Sequence, residues 1–206
     1  MTCPSLAGSN LPGDMWAKHF LESAESLTKF AYPGDPSKDK AWTEFIGRVV
    51  EQVAEKMGCY PAMRRKKAKK DQYSGEYLNI DSLFFDLKSY DLLKPSEDWD
   101  PFVLPRQAVE LENSYRRDKV AYCIWKLFCV RAPLRVLVCY QDGQSKVQAL
   151  RKHLTEVIKR GSLAEGDSGQ LLVLIGDDSL GETATWRQYY SFFEWQDGQL
   201  EPFLVR

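Results

Sequence analysis

Apolar positions recur along this chain in two distinct periods, and those periods predict its elements. Trp16, Phe20, Ala24 and Leu27 fall at helical spacing, which predicts a helix over roughly 15–31 capped by Asp14 and ended by Pro33-Gly34-Asp35-Pro36. A second helix is expected over roughly 39–58. It places Trp42, Phe45, Ile46, Val49, Val50, Val53 and Met57 on one face and Glu44, Glu51 and Glu55 on the other. Strand-like runs over roughly 76–87 and 106–112 follow, separated by a loop holding Pro95, Pro101 and Pro105. Asn113 or Ser114 is placed to cap a long helix reaching about Val130. Residues 134–140 form a continuous apolar run of the kind buried on both faces, and 171–175 form another. Between them, 145–160 reads as an amphipathic helix closed by Gly161. The aromatic tail from Trp186 to Trp195, followed by Asp197-Gly198, reads as a hairpin whose large rings belong to a sheet core or sheet face.

This order of elements predicts an α/β fold with a mixed β-sheet flanked by helices, a helical N-terminal extension over 1–38 and a C-terminal β-hairpin within an α/β domain over 39–206. No apolar run approaches about 18 residues, so no membrane partner is expected. Residues 1–15 lack the pattern of a signal peptide, so a cytoplasmic location is expected. The five cysteines include no C-x-x-C pair, and Cys123, Cys129 and Cys139 lie in apolar stretches, as buried thiols of a reducing compartment do. With only His19 and His153, a histidine-rich zinc site is excluded and a serine or cysteine triad is disfavoured. Neither a Walker loop nor a G-x-G-x-x-G fingerprint occurs, and the acidic loop 176–181 would cradle phosphate poorly.

The informative chemistry is acidic. In Val109-Glu110-Leu111-Glu112-Asn113, side chains alternate across a strand, so Glu110 and Glu112 share one face while Val109 and Leu111 turn to the other. Adjacent carboxylates repel, and a hard divalent cation relieves that repulsion. Asp81 supplies a third candidate ligand, with Asp86 as its rival on the opposite face of the earlier strand. The formal net charge is −1, so any attraction for nucleic acid must be local. Two basic features qualify. One is Arg64, Arg65, Lys66, Lys67, Lys69 and Lys70, six cations in seven residues. The other is a stripe of Tyr115, Arg116, Lys119, Tyr122 and Lys126 on the helix after the acids, with Ala121, Ile124, Trp125 and Phe128 opposite.

A helix, a strand with Asp, a strand with Glu-x-Glu, a helix and a further strand resemble the PD-(D/E)XK, or restriction-endonuclease-like, nuclease superfamily over roughly residues 39–140. The resemblance implies a metal-dependent nuclease, a magnesium- or manganese-using hydrolase acting on nucleic acid, DNA rather than RNA, with pairing of two copies where both strands are cut. It assigns Asp81 and Glu110 as metal ligands, the Leu111 carbonyl as an additional one, and Glu112 as a proton acceptor or ligand of a second metal. The chain departs from the pattern in two places. Glu112 stands at the lysine position, leaving Lys119 as a substitute catalytic lysine, and Ile80 rather than proline precedes Asp81. The first departure motivates an alternative, a catalytically silent nuclease-fold module that binds nucleic acid or a protein partner.

Overall fold

The computed structural model describes residues 12–27, 40–63, 80–86, 104–166 and 168–205. Two helices come first, α1 (Pro12–Leu27) and α2 (Lys40–Lys56), followed by strands β1 (Cys59–Met63), β2 (Ser82–Asp86) and β3 (Gln107–Glu112). Helix α3 (Arg117–Phe128), β4 (Leu134–Gln141), helix α4 (Gln144–Arg160) and β5 (Gln170–Asp177) form the centre. A 3₁₀ segment (Asp178–Thr183), a one-turn helix α5 (Trp186–Tyr189), β6 (Tyr190–Gln196) and β7 (Gln199–Pro202) complete the chain.

Among the described residues, seven strands form one mixed sheet in sequence order. The pairs β3–β4 and β4–β5 are parallel, and the remaining pairs are antiparallel. Parallel neighbours need a crossover, and α3 and α4 provide the two. Both pack on one face, as successive crossovers of one hand running in one direction do. The fold is therefore α/β, with a mixed seven-stranded sheet covered by helices on both sides.

Alternation along the central strands divides the core in two. Val109, Leu134, Val136, Val138, Tyr140, Leu172 and Leu174 face α1, α2 and α5, where Trp16, Phe20, Trp42 and Trp186 are buried. Ala108, Leu137, Cys139, Leu171, Val173 and Ile175 face α3 and α4, against Val120, Ile124, Leu127, Leu150 and Leu154. Every position of β4 is buried, as its unbroken apolar run predicts. Helix α1, read from sequence as part of an extension, shares its core with α2 and the sheet through Trp16, Phe20 and Ala24. Arg135 of β4 donates to the Leu127 and Val130 carbonyls, anchoring the end of α3 on the sheet.

Several local expectations are corrected. Helix α1 begins at Pro12, where a fixed φ and a missing N–H cost nothing, and Asp14 lies in its first turn rather than capping it. Neither Asn113 nor Ser114 caps α3; Arg116 occupies that position without a side-chain cap. Strand β1 was not expected from sequence, since Tyr60-Pro61-Ala62 carries no alternation, and it exists through its full register with β2. Trp186 and Tyr189 lie on a helical turn, held by a capping box between Thr185 and Gln188, so the hairpin begins only at Tyr190. The hairpin turns at Asp197 (φ 48°) and Gly198 (φ 78°), the two positive φ values of a type I′ turn. The runs 33–36, 64–79 and 87–103 lie outside the described residues.

Gly176 of β5 lies under two aromatic rings. A Cβ there would come within 2.6 Å of Tyr189 Cε1 and 2.7 Å of Tyr140 Cδ1. Gly176→Ala is expected to destabilise the protein by about 1–3 kcal/mol through overpacking. Urea denaturation measures this, and an unchanged midpoint would mean that the rings shift without cost.

Candidate active site at the carboxyl end of β3

The face that carries Glu110 and Glu112 is covered by α3. The register of β3 with β4 sets Glu110 opposite Leu137 and Glu112 opposite Cys139, whose side chains pack against α3 and α4. Glu110 is only 1% exposed. Its Oε2 accepts a 2.6 Å hydrogen bond from Lys126 Nζ, itself 8% exposed. Its Oε1 is buried without a hydrogen-bond partner among the described residues. Lys126 thus leaves the solvent face assigned to it from sequence. It lies near the far end of α3, but side chains on a helix lean toward its N-terminus, which carries the ammonium back to the end of β3.

Asp81 joins this pair from the residue before β2. Its Oδ2 accepts the Leu111 N–H at 2.9 Å, on the flank where β2 pairs with β3 through Ser82 and Val109. In an antiparallel ladder the N–H and C=O of one residue turn to the same neighbour, so the Leu111 carbonyl shares the Asp81 side of the strand. Asp86, its rival, lies at the other end of β2, paired at 2.8 Å with Arg106. The structure therefore brings Asp81, and not Asp86, beside Glu110.

Glu112 is turned to local tasks. Its Oε1 accepts the Ser114 N–H at 2.7 Å, and the Cys123 thiol approaches its Oε2 at 3.9 Å. No group of three or more His, Cys, Asp or Glu among the described residues is arranged to hold a metal ion, so Glu112 does not complete a three-acid set with Asp81 and Glu110.

The loop after β3 is tied on several sides. Asn113 Nδ2 donates to Thr43 Oγ1 of α2 at 2.6 Å, and Gln141 Nε2 donates to the Tyr115 carbonyl. The Tyr115 hydroxyl donates to Asp178 Oδ2, and the Tyr189 hydroxyl donates to Asp178 Oδ1. The preceding Asp177 accepts the Gly143 and Ser179 N–H groups. The carboxyl edge of the parallel strands is thereby fixed from both faces of the sheet.

The remaining basic candidates lie apart from the acids. Lys119 is exposed, and Arg116, also exposed, pairs with Asp118 at 2.6 Å. Trp125, expected opposite the basic stripe, is 46% exposed beside Tyr122 at 58%. The basic run Arg64 to Lys70 lies outside the described residues. Phase alone could not separate Lys119 from Lys126, which occupy one flank of α3. The structure separates them, because Lys119 is exposed while Lys126 is buried against Glu110.

Burial is the largest influence on Glu110 and raises its carboxyl from the ordinary range to about 7. The Asp81 charge adds to the rise, and Lys126 and a weaker hydrogen bond from the Cys123 thiol oppose it. Burial is the largest single influence on the Lys126 ammonium and lowers it, but the hydrogen bond to Glu110 together with the charges of Glu110, Cys123 and Asp81 outweighs it and holds the ammonium above its ordinary range. Burial also pushes the Cys123 thiol up, so it stays protonated. The arrangement is a buried cation beside a carboxyl that exchanges its proton near neutrality, with a second carboxylate at its side.

Compared with known proteins, the chain matches no family profile, no curated protein and no solved structure.

A carboxyl with a raised folded pKa binds more protons in the native than in the unfolded state. Its contribution to stability is full below about 4.5 and is lost as pH rises through about 7. Urea denaturation of the wild type between about pH 5 and pH 8 is expected to show a loss on the order of 3 kcal/mol that Glu110→Gln lacks. Parallel pH profiles for the two proteins would show that Glu110 does not titrate in this range.

Proposed function

We propose that the protein is a metal-dependent phosphodiesterase acting on nucleic acid, built on a restriction-endonuclease-like core of the PD-(D/E)XK kind. The observation that carries this reading is the buried Glu110 carboxyl beside Asp81 and the Lys126 ammonium, its Oε1 lacking a nitrogen or oxygen partner among the described residues. A partnerless carboxylate oxygen is costly to bury and fits a cation. Magnesium keeps several waters and is held by one or two carboxylates together with substrate phosphates, so a two-acid site suits it where a three-acid set is lacking. Asp81, Glu110 and the Leu111 carbonyl would hold magnesium or manganese. When bound, the cation supplies Lewis-acid charge at the phosphodiester oxygens.

The residues of the chain divide the remaining work. Lys126 takes the part that the resemblance leaves to Lys119: its ammonium, pre-positioned in a dry site, steadies negative charge developing on the phosphate. Glu110 releases its proton near neutrality, so substrate or cation entry shifts it to the charged form. Glu112 fixes the start of the loop through Ser114 rather than accepting a proton.

The second reading, a silent module that binds nucleic acid or a protein partner, is favoured by the 2.6 Å Lys126–Glu110 pair and by the lack of a three-donor group among the described residues. In that case the ammonium serves as a permanent substitute for the metal.

Manganese titration by calorimetry, in the presence of a short oligonucleotide, is expected to give heat with the wild type and none with Glu110→Ala. Cleavage of labelled nucleic acid should disappear in Glu110→Ala and Asp81→Asn, and Lys126→Met should lower kcat about 10²–10³-fold. Nucleic-acid binding without metal, undiminished in Glu110→Ala and with no cleavage under any divalent ion, selects the silent module.

A further inference from the structure

The solvent side of α3 presents two large aromatic side chains. Tyr122 is 58% and Trp125 46% exposed. Their rings stack on one another, with centroids 5.6 Å apart and an interplanar angle of 19°. Among the described residues, the other exposed large apolar side chains beyond Tyr115 are Met15, Leu104, Leu180 and Leu204, which sit singly on separate parts of the chain. Single exposures of that kind are ordinary, whereas a stacked pair is a preformed surface.

This surface is linked to the acid site. Lys126 Nζ lies 5.6 Å from the centroid of the Tyr122 ring and 2.6 Å from Glu110 Oε2, so one ammonium holds both the ring and the buried carboxyl. The charge beside it is positive. Arg116, Arg117 and Lys119 are exposed at the start of the helix, and the one acid there, Asp118, is matched by Arg116.

We propose that the Tyr122–Trp125 pair is a stacking platform for an unpaired base, making single-stranded nucleic acid the ligand of this face. Aromatic side chains hold single strands by stacking on base faces while cations track the backbone. In a duplex those base faces are covered by their neighbours, and a pair exposed on a helix has nothing to stack upon. A protein partner fits less well, because Lys is depleted from the cores of protein interfaces and the patch here is small and rimmed by cations. The platform rests on the phosphodiesterase reading for its role in delivering a strand to Glu110, but not for binding.

Fluorescence anisotropy of a fluorescein-labelled oligodeoxythymidine, measured with EDTA present, tests the platform without any need for catalysis. The wild type is expected to bind it more tightly than a blunt, fully paired two-strand DNA duplex of mixed sequence. Trp125→Ala should weaken binding about tenfold or more, and Trp125→Phe should restore most of it. Both substitutions are at an exposed position, and circular dichroism verifies that the variants fold. The proposal is overturned if the wild type does not bind, if Trp125→Ala binds as the wild type does, or if the duplex binds as tightly with the same loss. It is also overturned if sedimentation shows that Trp125→Ala instead dissociates a dimer. Trp125-dependent binding with no cleavage in manganese would sink the hydrolase and keep the platform. Cleavage with unaltered Trp125→Ala binding would do the reverse.

Discussion

Strand β4 is buried at all eight of its positions, so protein must cover both faces of the sheet around it. Its two neighbours run parallel to it, and parallel strands can be joined only by long crossovers. Those crossovers bring α3 and α4 to one face. The other face is then left for elements from outside the β3–β5 unit, and α1, α2 and α5 bring Trp16, Phe20, Trp42 and Trp186 to it. The antiparallel strands at either side extend the sheet without further crossovers. The same constraint places the carboxyl ends of β3, β4 and β5 along one edge, where Glu110, Gln141 and Asp177 lie.

Against that dry frame the Lys126–Glu110 pair stands out energetically. Removing two charges from water costs several kcal/mol each, and their attraction at best roughly offsets it. Apolar residues of the same size would serve folding as well or better. The pair is not even complete, since one carboxylate oxygen lacks a partner among the described residues. Stability alone therefore does not account for its presence under α3.

Much of the fold could be read from the sequence because its signals were local. Helical spacing in Trp42, Ile46, Val49, Val50 and Val53 and the unbroken run of β4 report burial directly. Strand alternation likewise put Glu110 and Glu112 on one face. What alternation cannot reveal is which element lies over that face, so the acids read as open when α3 covers them. The same gap misassigned Lys126 and Trp125, one drawn inward by a carboxylate and the other left in solvent at a helix flank. Strand β1 and the helical turn at Trp186 were hidden for a related reason. The first is defined by its partner β2, and the second by a capping box that outweighs the β propensity of its aromatics.

The Asp178 carboxylate joins hydroxyls from residues far apart in the chain, Tyr115 after β3 and Tyr189 before β6. Both acids of the proposed site precede residue 116, yet the loop that follows them is fixed by side chains from the last thirty residues of the chain. The Tyr115–Asp178 contact closes a span of 63 residues, and closing a long loop carries an entropic cost. The bridge thereby makes the loop after β3 depend for its anchor on the segment between β5 and β6, so two distant stretches of the chain share a single carboxylate.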